Sequence, residues 1–109
     1  MALQDWMLPN EDIKYTAPEP ISYTGLNYRF YITNERIILH AIRGAFFPKE
    51  SVATERLDDI VTMNYEEQGL IQKWGILKIE TKNKKTNFAG RPETIKAIWQ
   101  TLQQYIRRA

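Results

Sequence analysis

Tyr28 to Ile42 reads YRFYITNERIILHAI. In its first half Tyr28, Phe30 and Ile32 share one face while Arg29, Tyr31 and Thr33 share the other, the period of two that marks a β-strand. Aromatic and β-branched side chains suit a pleated, half-buried surface. After Asn34, a residue that tolerates turn conformations, Ile37, Leu39 and Ala41 alternate with Ile38, His40 and Ile42 until Gly44 ends the run. The stretch is therefore two strands folded back on each other through Thr33-Asn34-Glu35-Arg36. Both faces of the second strand carry apolar groups, which predicts a central position in its sheet.

Working outward, Glu11 to Ala17 alternates in part and predicts a first strand, before Pro18-Glu19-Pro20 interrupts regular pairing and an irregular connection runs through Gly25. Leu3 to Leu8 predicts a single helical turn, too short to be stable alone, that turns Trp6 and Met7 toward an apolar surface. Residues 1–10 are expected to pack as such a segment on a domain of residues 11–109. Downstream, Gly44 to Lys49 is a bend, Ser51 to Arg56 and Ile60 to Glu67 are strands joined at Leu57-Asp58-Asp59, and Trp74 to Thr81 is a strand with Leu77 and Ile79 inward. Lys82-Asn83-Lys84 is a polar turn, and Thr86 to Ala89 returns as a seventh strand. The period then changes. Ile95, Ile98, Trp99, Leu102, Tyr105 and Ile106 fall on one arc of a helix, with Pro92 in its first turn, Glu93 at the positive end of its dipole and Arg107 and Arg108 at the negative end.

The chain of 109 residues fits one domain, and 43% hydrophobic with 12% aromatic residues is the composition of a folded protein. Fifteen Lys and Arg against thirteen Asp and Glu leave +2, too slight to predict broad attraction to nucleic acid. Cysteine is absent, which excludes disulfides, thiolate nucleophiles and cysteine zinc sites. The N-terminus lacks the pattern of a signal peptide, and no apolar run approaches the ~20 residues that span a bilayer. A cytoplasmic location is expected.

Short strands in the order strand, hairpin, meander, closed by one C-terminal helix, resemble the pleckstrin-homology (PH) fold. Four pieces sharpen the resemblance toward bacterial PH-like domains: Tyr31 to Ile38, Leu57-Asp58-Asp59-Ile60, Gly75 to Ile79, and Phe88-Ala89-Gly90-Arg91-Pro92. The resemblance implies a mainly β fold, a seven-stranded antiparallel curved sheet or partly open barrel capped by the helix, acting as a binding and assembly module and not as an enzyme. Some bacterial families similar to this one form rings of identical subunits. Relatives that bind phosphoinositides use basic residues around the first hairpin loop, whereas Pro18 to Gly25 here contains neither Lys nor Arg.

If the resemblance holds, Lys82, Lys84, Lys85, Arg43 and Lys49 surround Phe46 and Phe47 at one pole, where cations and aromatics together could meet anionic lipid. The plainer expectation is that the lysines form a solvated turn and the two phenylalanines fold back over the barrel mouth as core. The same lysines could contact nucleic-acid phosphates, but the near-balanced charge argues for a protein partner instead. For catalysis the candidates are few. His40 stands alone in an apolar strand, Asp58 and Asp59 are more simply turn formers, and there is no phosphate loop, ligand-spaced histidine pair or nucleophile elbow. No cofactor or metal is expected. A non-enzymatic interaction module that contacts a protein or copies of itself is the leading expectation, with anionic lipid as the alternative.

Overall fold

The computed structural model describes residues 3–44 and 46–106, and the two terminal arginines expected to complement the helix dipole lie outside this range. Eight strands, β1 (Ile13–Thr16), β2 (Ile21–Tyr23), β3 (Leu26–Thr33), β4 (Arg36–Arg43), β5 (Lys49–Arg56), β6 (Ile60–Gln68), β7 (Trp74–Thr81) and β8 (Lys85–Gly90), precede one helix, α1 (Pro92–Ile106). The strands follow the order β5-β4-β3-β2-β8-β7-β6, with β1 paired beside β2 along β3. Every pairing is antiparallel. The terminal strands β5 and β6 do not pair with each other, so the curved sheet stays open.

One more strand forms than the sequence pattern suggests. Pro18-Glu19-Pro20 bends the chain without ending its pairing, because the prolines sit in the gap between β1 and β2 and their missing N–H groups interrupt no ladder. Both segments then lie against β3. The bend is pinned at the side-chain level, since the Thr94 hydroxyl donates to Glu19 Oε1 at 2.9 Å and the Arg91 guanidinium lies 3.4 Å from Glu19 Oε2.

Two hairpin turns use the same device. The Thr33 hydroxyl oxygen accepts the N–H groups of Glu35 and Arg36, each at 3.0 Å, and Thr81 does the same for Asn83 and Lys84. A threonine at the first turn position thus replaces water at the exposed donors of the turn. Leu57 to Asp59 forms a single 3-10 turn between β5 and β6, with its first N–H on Glu35 O.

The core is the inner face of the sheet closed by α1. Phe30, Ile32, Ile37, Leu39, Leu77, Ile79 and Phe88 meet Ile95, Ile98 and Leu102 from the helix, all fully buried. Burying those three helix side chains contributes roughly 1.5–3 kcal/mol each. The close approach of the helix start depends on Gly75 and Gly90, which are cross-strand partners. A Cβ at Gly75 would stand 3.0 Å from Pro92 Cα and 3.1 Å from Ile95 Cβ. Trp99 stacks on Tyr65 of β6, centroid to centroid 5.6 Å, and ties the helix to the open edge.

The outer face of β4 is also covered, which accounts for the apolar groups on both sides of this strand. Ile38 is fully buried although it does not belong to the inner core, and His40 is nearly so. The 3-10 turn Leu3–Trp6 reaches this side of the sheet, where the Trp6 indole N–H donates to Glu50 of β5 and the Arg36 guanidinium donates to Trp6 O.

Candidate functional site

Arg43 closes β4 opposite Lys49, and its guanidinium lies 4.7 Å over the Tyr28 ring while reaching Ser51 Oγ and Asn27 O, each at 3.3 Å. Gly44 then turns the chain at φ +97°, where any side chain would meet Phe47 O at 2.7 Å. Past this turn Phe46 and Phe47 each remain 90% exposed. They do not fold over the barrel mouth as the plainer expectation had it. The core on the inner face is packed without them, Tyr23, Tyr28, Phe30 and Phe88 lying there with neighbouring ring centroids 5.4–5.6 Å apart. Lys49 is exposed beside them and makes no ion pair among the described residues.

The lysines of the β7–β8 turn do not converge on this pair. Lys84 Nζ sits 2.6 Å from Glu55 Oε2, a carboxylate that is 11% exposed on the inner side of β5. That contact lies six residues along β5 from Lys49, roughly 20 Å at about 3.3 Å per residue, with the β4–β5 register unbroken between them. The Glu55 hydrogen bond and charge raise the Lys84 pKa. Lys85, the first residue of β8, points the other way. It lies opposite Glu80 and lines a polar depression of about 140 Å³ with Thr62, Asn64, Lys78 and Asn87 on the outer face. Lys82 is exposed in the turn. The structure therefore gathers Arg43, Phe46, Phe47 and Lys49 at one end of the β4–β5 hairpin and sends Lys84 and Lys85 to opposite faces.

His40 has a partner that no sequence pattern announced. Its Nε2 is 2.6 Å from Glu50 Oε2, the same oxygen that accepts the Trp6 indole N–H at 2.9 Å. Both side chains are only 9% exposed. The bonds from His40 and then Trp6 hold the Glu50 carboxyl below the usual carboxylate range. Asp58 and Asp59 lie in the 3-10 turn, and among the described residues no group of three His, Asp or Glu side chains could hold a metal ion.

Three other exposed features escaped the sequence reading. Leu70 and Ile71, in the β6–β7 loop, are 98% and 100% exposed. A shallow groove of about 300 Å³ beside Trp74 is floored by Ser22, Ala89 and Gly90. Ile42, on the outer face of β4 opposite Glu50, is 52% exposed. Leu70 and Ile71 stand next to Gly69 in an otherwise polar loop, a signal the sequence did carry. The groove arises where β2 and β8 are joined by one residue pair, Ser22 and Ala89, which no local pattern reveals.

No protein-family model and no curated protein matches the sequence. Solved structures do. A pleckstrin homology domain from Shewanella amazonensis SB2B superposes with a TM-score of 0.69 at 20% identity, covering 95% of this chain and 91% of its own. The fold is that of a PH domain. A DUF1696 family protein with a pleckstrin-homology domain from Shewanella loihica PV-4 superposes with a TM-score of 0.67 at 21% identity, covering 95% of this chain and 86% of its own. The strand order and the single C-terminal helix expected from the sequence are thus those of the PH fold, with one further strand, β2, where an irregular connection was expected after Pro18 to Pro20. In this PH fold the β2–β3 connection, Thr24-Gly25, is uncharged, and the charged side chain of the preceding bend is the acidic Glu19. Among the described residues no helix is long and apolar enough to cross a membrane.

Proposed function

We propose that the chain is a non-enzymatic, cytoplasmic interaction module that contacts a protein, a second copy of itself foremost, through the end of the β4–β5 hairpin and the free edge of β5. The observation that carries this reading is the pair Phe46 and Phe47, each 90% exposed in a chain that buries Phe30 and Phe88 to 1%. At about 150–250 Å² per aromatic side chain the pair presents on the order of 300–400 Å² of apolar surface. Contiguous patches of this size on a monomer are often functional. Half-exposed Ile42 lies next to them on β4. The adjoining edge of β5 has an uncharged centre, Ser51 to Thr54, with no proline or bulge to guard its unpaired backbone groups. Such an edge can add a strand from another chain.

Light scattering across micromolar concentrations tests the reading. The wild-type chain associates, and a Phe46→Asp/Phe47→Asp chain does not. A wild-type chain that stays monomeric removes self-contact, and a double variant that still associates removes this surface.

A second reading is supported by an unpaired cation. Lys49 stands beside the phenylalanines and makes no ion pair among the described residues, so it could add about 1 kcal/mol at an anionic membrane surface. Sedimentation with phosphatidylserine vesicles that is unchanged by Lys49→Glu together with Phe46→Asp ends it. Neither reading needs a cofactor or nucleic acid.

A further inference from the structure

The outer face of a sheet strand is normally solvated unless something covers it. On β4 this face carries Ile38 and His40, buried to 0% and 7% exposure. The cover reaches them from the start of the chain and is held by polar contacts of defined geometry. The Trp6 indole N–H donates to Glu50 Oε2, the Arg36 guanidinium donates to Trp6 O, and the Leu8 N–H donates to Glu11 Oε1 at 2.8 Å. His40, on the same Glu50 oxygen, fixes the carboxylate from below.

These contacts have the form of a peptide in a receptor. One side-chain donor is read by a buried carboxylate, one main-chain carbonyl by an arginine, and one main-chain N–H by a second carboxylate. The fit is incomplete. Trp6 and Leu8 remain 43% exposed, and Glu50 Oε1 is buried with no hydrogen-bond partner among the described residues. The segment is a four-residue 3-10 turn, too short to hold its shape without the seat. It joins the sheet through Pro9-Asn10, where Asn10 takes the left-handed φ of +66° that asparagine tolerates and its carbonyl accepts from Asn34 Nδ2 at 3.3 Å.

We infer that the outer face of β4 and β5 around Ile38, His40 and Glu50 is a docking seat for an indole-bearing peptide segment, filled in cis by residues 3–8 and open in trans to the same segment of a second copy. The occupant follows from the observed contacts, because a seat that holds this sequence in cis holds the identical sequence from another chain. Cis and trans differ in effective concentration, which a short tether sets in the millimolar range. Reciprocal exchange between two copies is a two-fold contact that closes on itself. The inference goes beyond the Phe46 and Phe47 surface and uses different residues.

The test uses the full chain in the Phe46→Asp/Phe47→Asp background, so that loss of the other surface cannot confuse the result. The probe is a fluorescent synthetic peptide of residues 1–10, read by anisotropy. A chain that also carries Trp6→Ala has its cis segment weakened and binds the peptide saturably, about tenfold or more tighter than the chain retaining Trp6, which competes in cis. Adding Glu50→Gln, which keeps the shape of the side chain, removes most of that binding, as does replacing the peptide's tryptophan with alanine. Far-UV circular dichroism confirms that each chain is folded. No saturable binding to the folded Trp6→Ala chain, equal binding with and without Trp6, or binding indifferent to Glu50→Gln overturns the inference.

Discussion

Replacing Glu11 by alanine tests what ties the start of the chain to the first hairpin. The Glu11 carboxylate is fully buried, and Arg36 is 15% exposed. Glu11 Oε2 accepts from Arg36 Nε at 2.9 Å and from the Thr33 hydroxyl at 2.7 Å, and Oε1 accepts from Arg36 Nη2 at 3.1 Å and from the Leu8 N–H at 2.8 Å. Removing the carboxylate leaves a largely buried guanidinium without its counter-charge. Breaking a buried pair from one side costs about 3–5 kcal/mol. The lower end applies here because Arg36 keeps some exposure and its bond to Trp6 O. A loss of about 3 kcal/mol lowers the melting temperature of a domain this size by roughly 12–15 °C.

The assay is urea unfolding followed by circular dichroism on the wild type, Glu11→Ala, Arg36→Ala and the double variant. The two single losses should exceed the double loss by about 2 kcal/mol, since the second removal costs little once the first partner is gone. The pH dependence has a defined sign. Burial alone would raise the Glu11 pKa, but the bonds from Arg36, the Leu8 N–H and Thr33 outweigh it and the net shift is downward from 4.5. A carboxyl depressed in the folded state contributes stability above its unfolded pKa, and that contribution is lost as pH falls through the folded value. The gap between wild type and Glu11→Ala should therefore be full at neutral pH and close in acid below pH 4.5. A single-variant cost under about 1 kcal/mol, additive singles, or a gap that widens in acid refutes the reasoning.

Three further outcomes follow from the fold. Leu102→Ala deletes a fully buried helix side chain and should cost about 2–5 kcal/mol by thermal or urea unfolding. Gly75→Ala brings a methyl against Pro92, Ile95 and Tyr65 and should cost about 1–3 kcal/mol through overpacking, with the loss of Trp99 packing visible in its fluorescence. Tyr65 is pushed up to about 12 by burial first and then by its bond to Glu67 and the charges of Glu67 and Glu93. Ultraviolet titration should show one tyrosine ionising last, and Glu67→Gln should bring it down.

Much of the architecture is local chemistry and was legible without coordinates. The β3–β4 hairpin shows itself in a period of two on both sides of Thr33 to Arg36, and α1 in the change to a helical period after Pro92. Those signals survive because the residues that generate them are sequence neighbours. Strand β2 was hidden, since Pro18 and Pro20 carry the signature of a break whether the chain leaves the sheet or only bends along β3. The candidate site was read in part. Arg43, Phe46, Phe47 and Lys49 were marked by type and proximity in the chain, but whether Phe46 and Phe47 turn into the core or stay 90% exposed is decided by the tertiary packing and not by the local pattern.

The sequence by itself determined the β3–β4 hairpin, most of the other strand segments, the C-terminal helix and the lack of cysteine chemistry, because each rests on residue type and short-range periodicity. Tertiary structure decided which charges meet. Glu11 finds Arg36 across 25 residues, Trp6 finds Glu50 across 44, and Lys84 finds Glu55 on a strand with which its own hairpin does not pair, while neighbouring Lys85 faces solvent. Ion pairs and covered faces of this kind depend on how a sheet curls and what lies over it, and a linear pattern does not contain those distances.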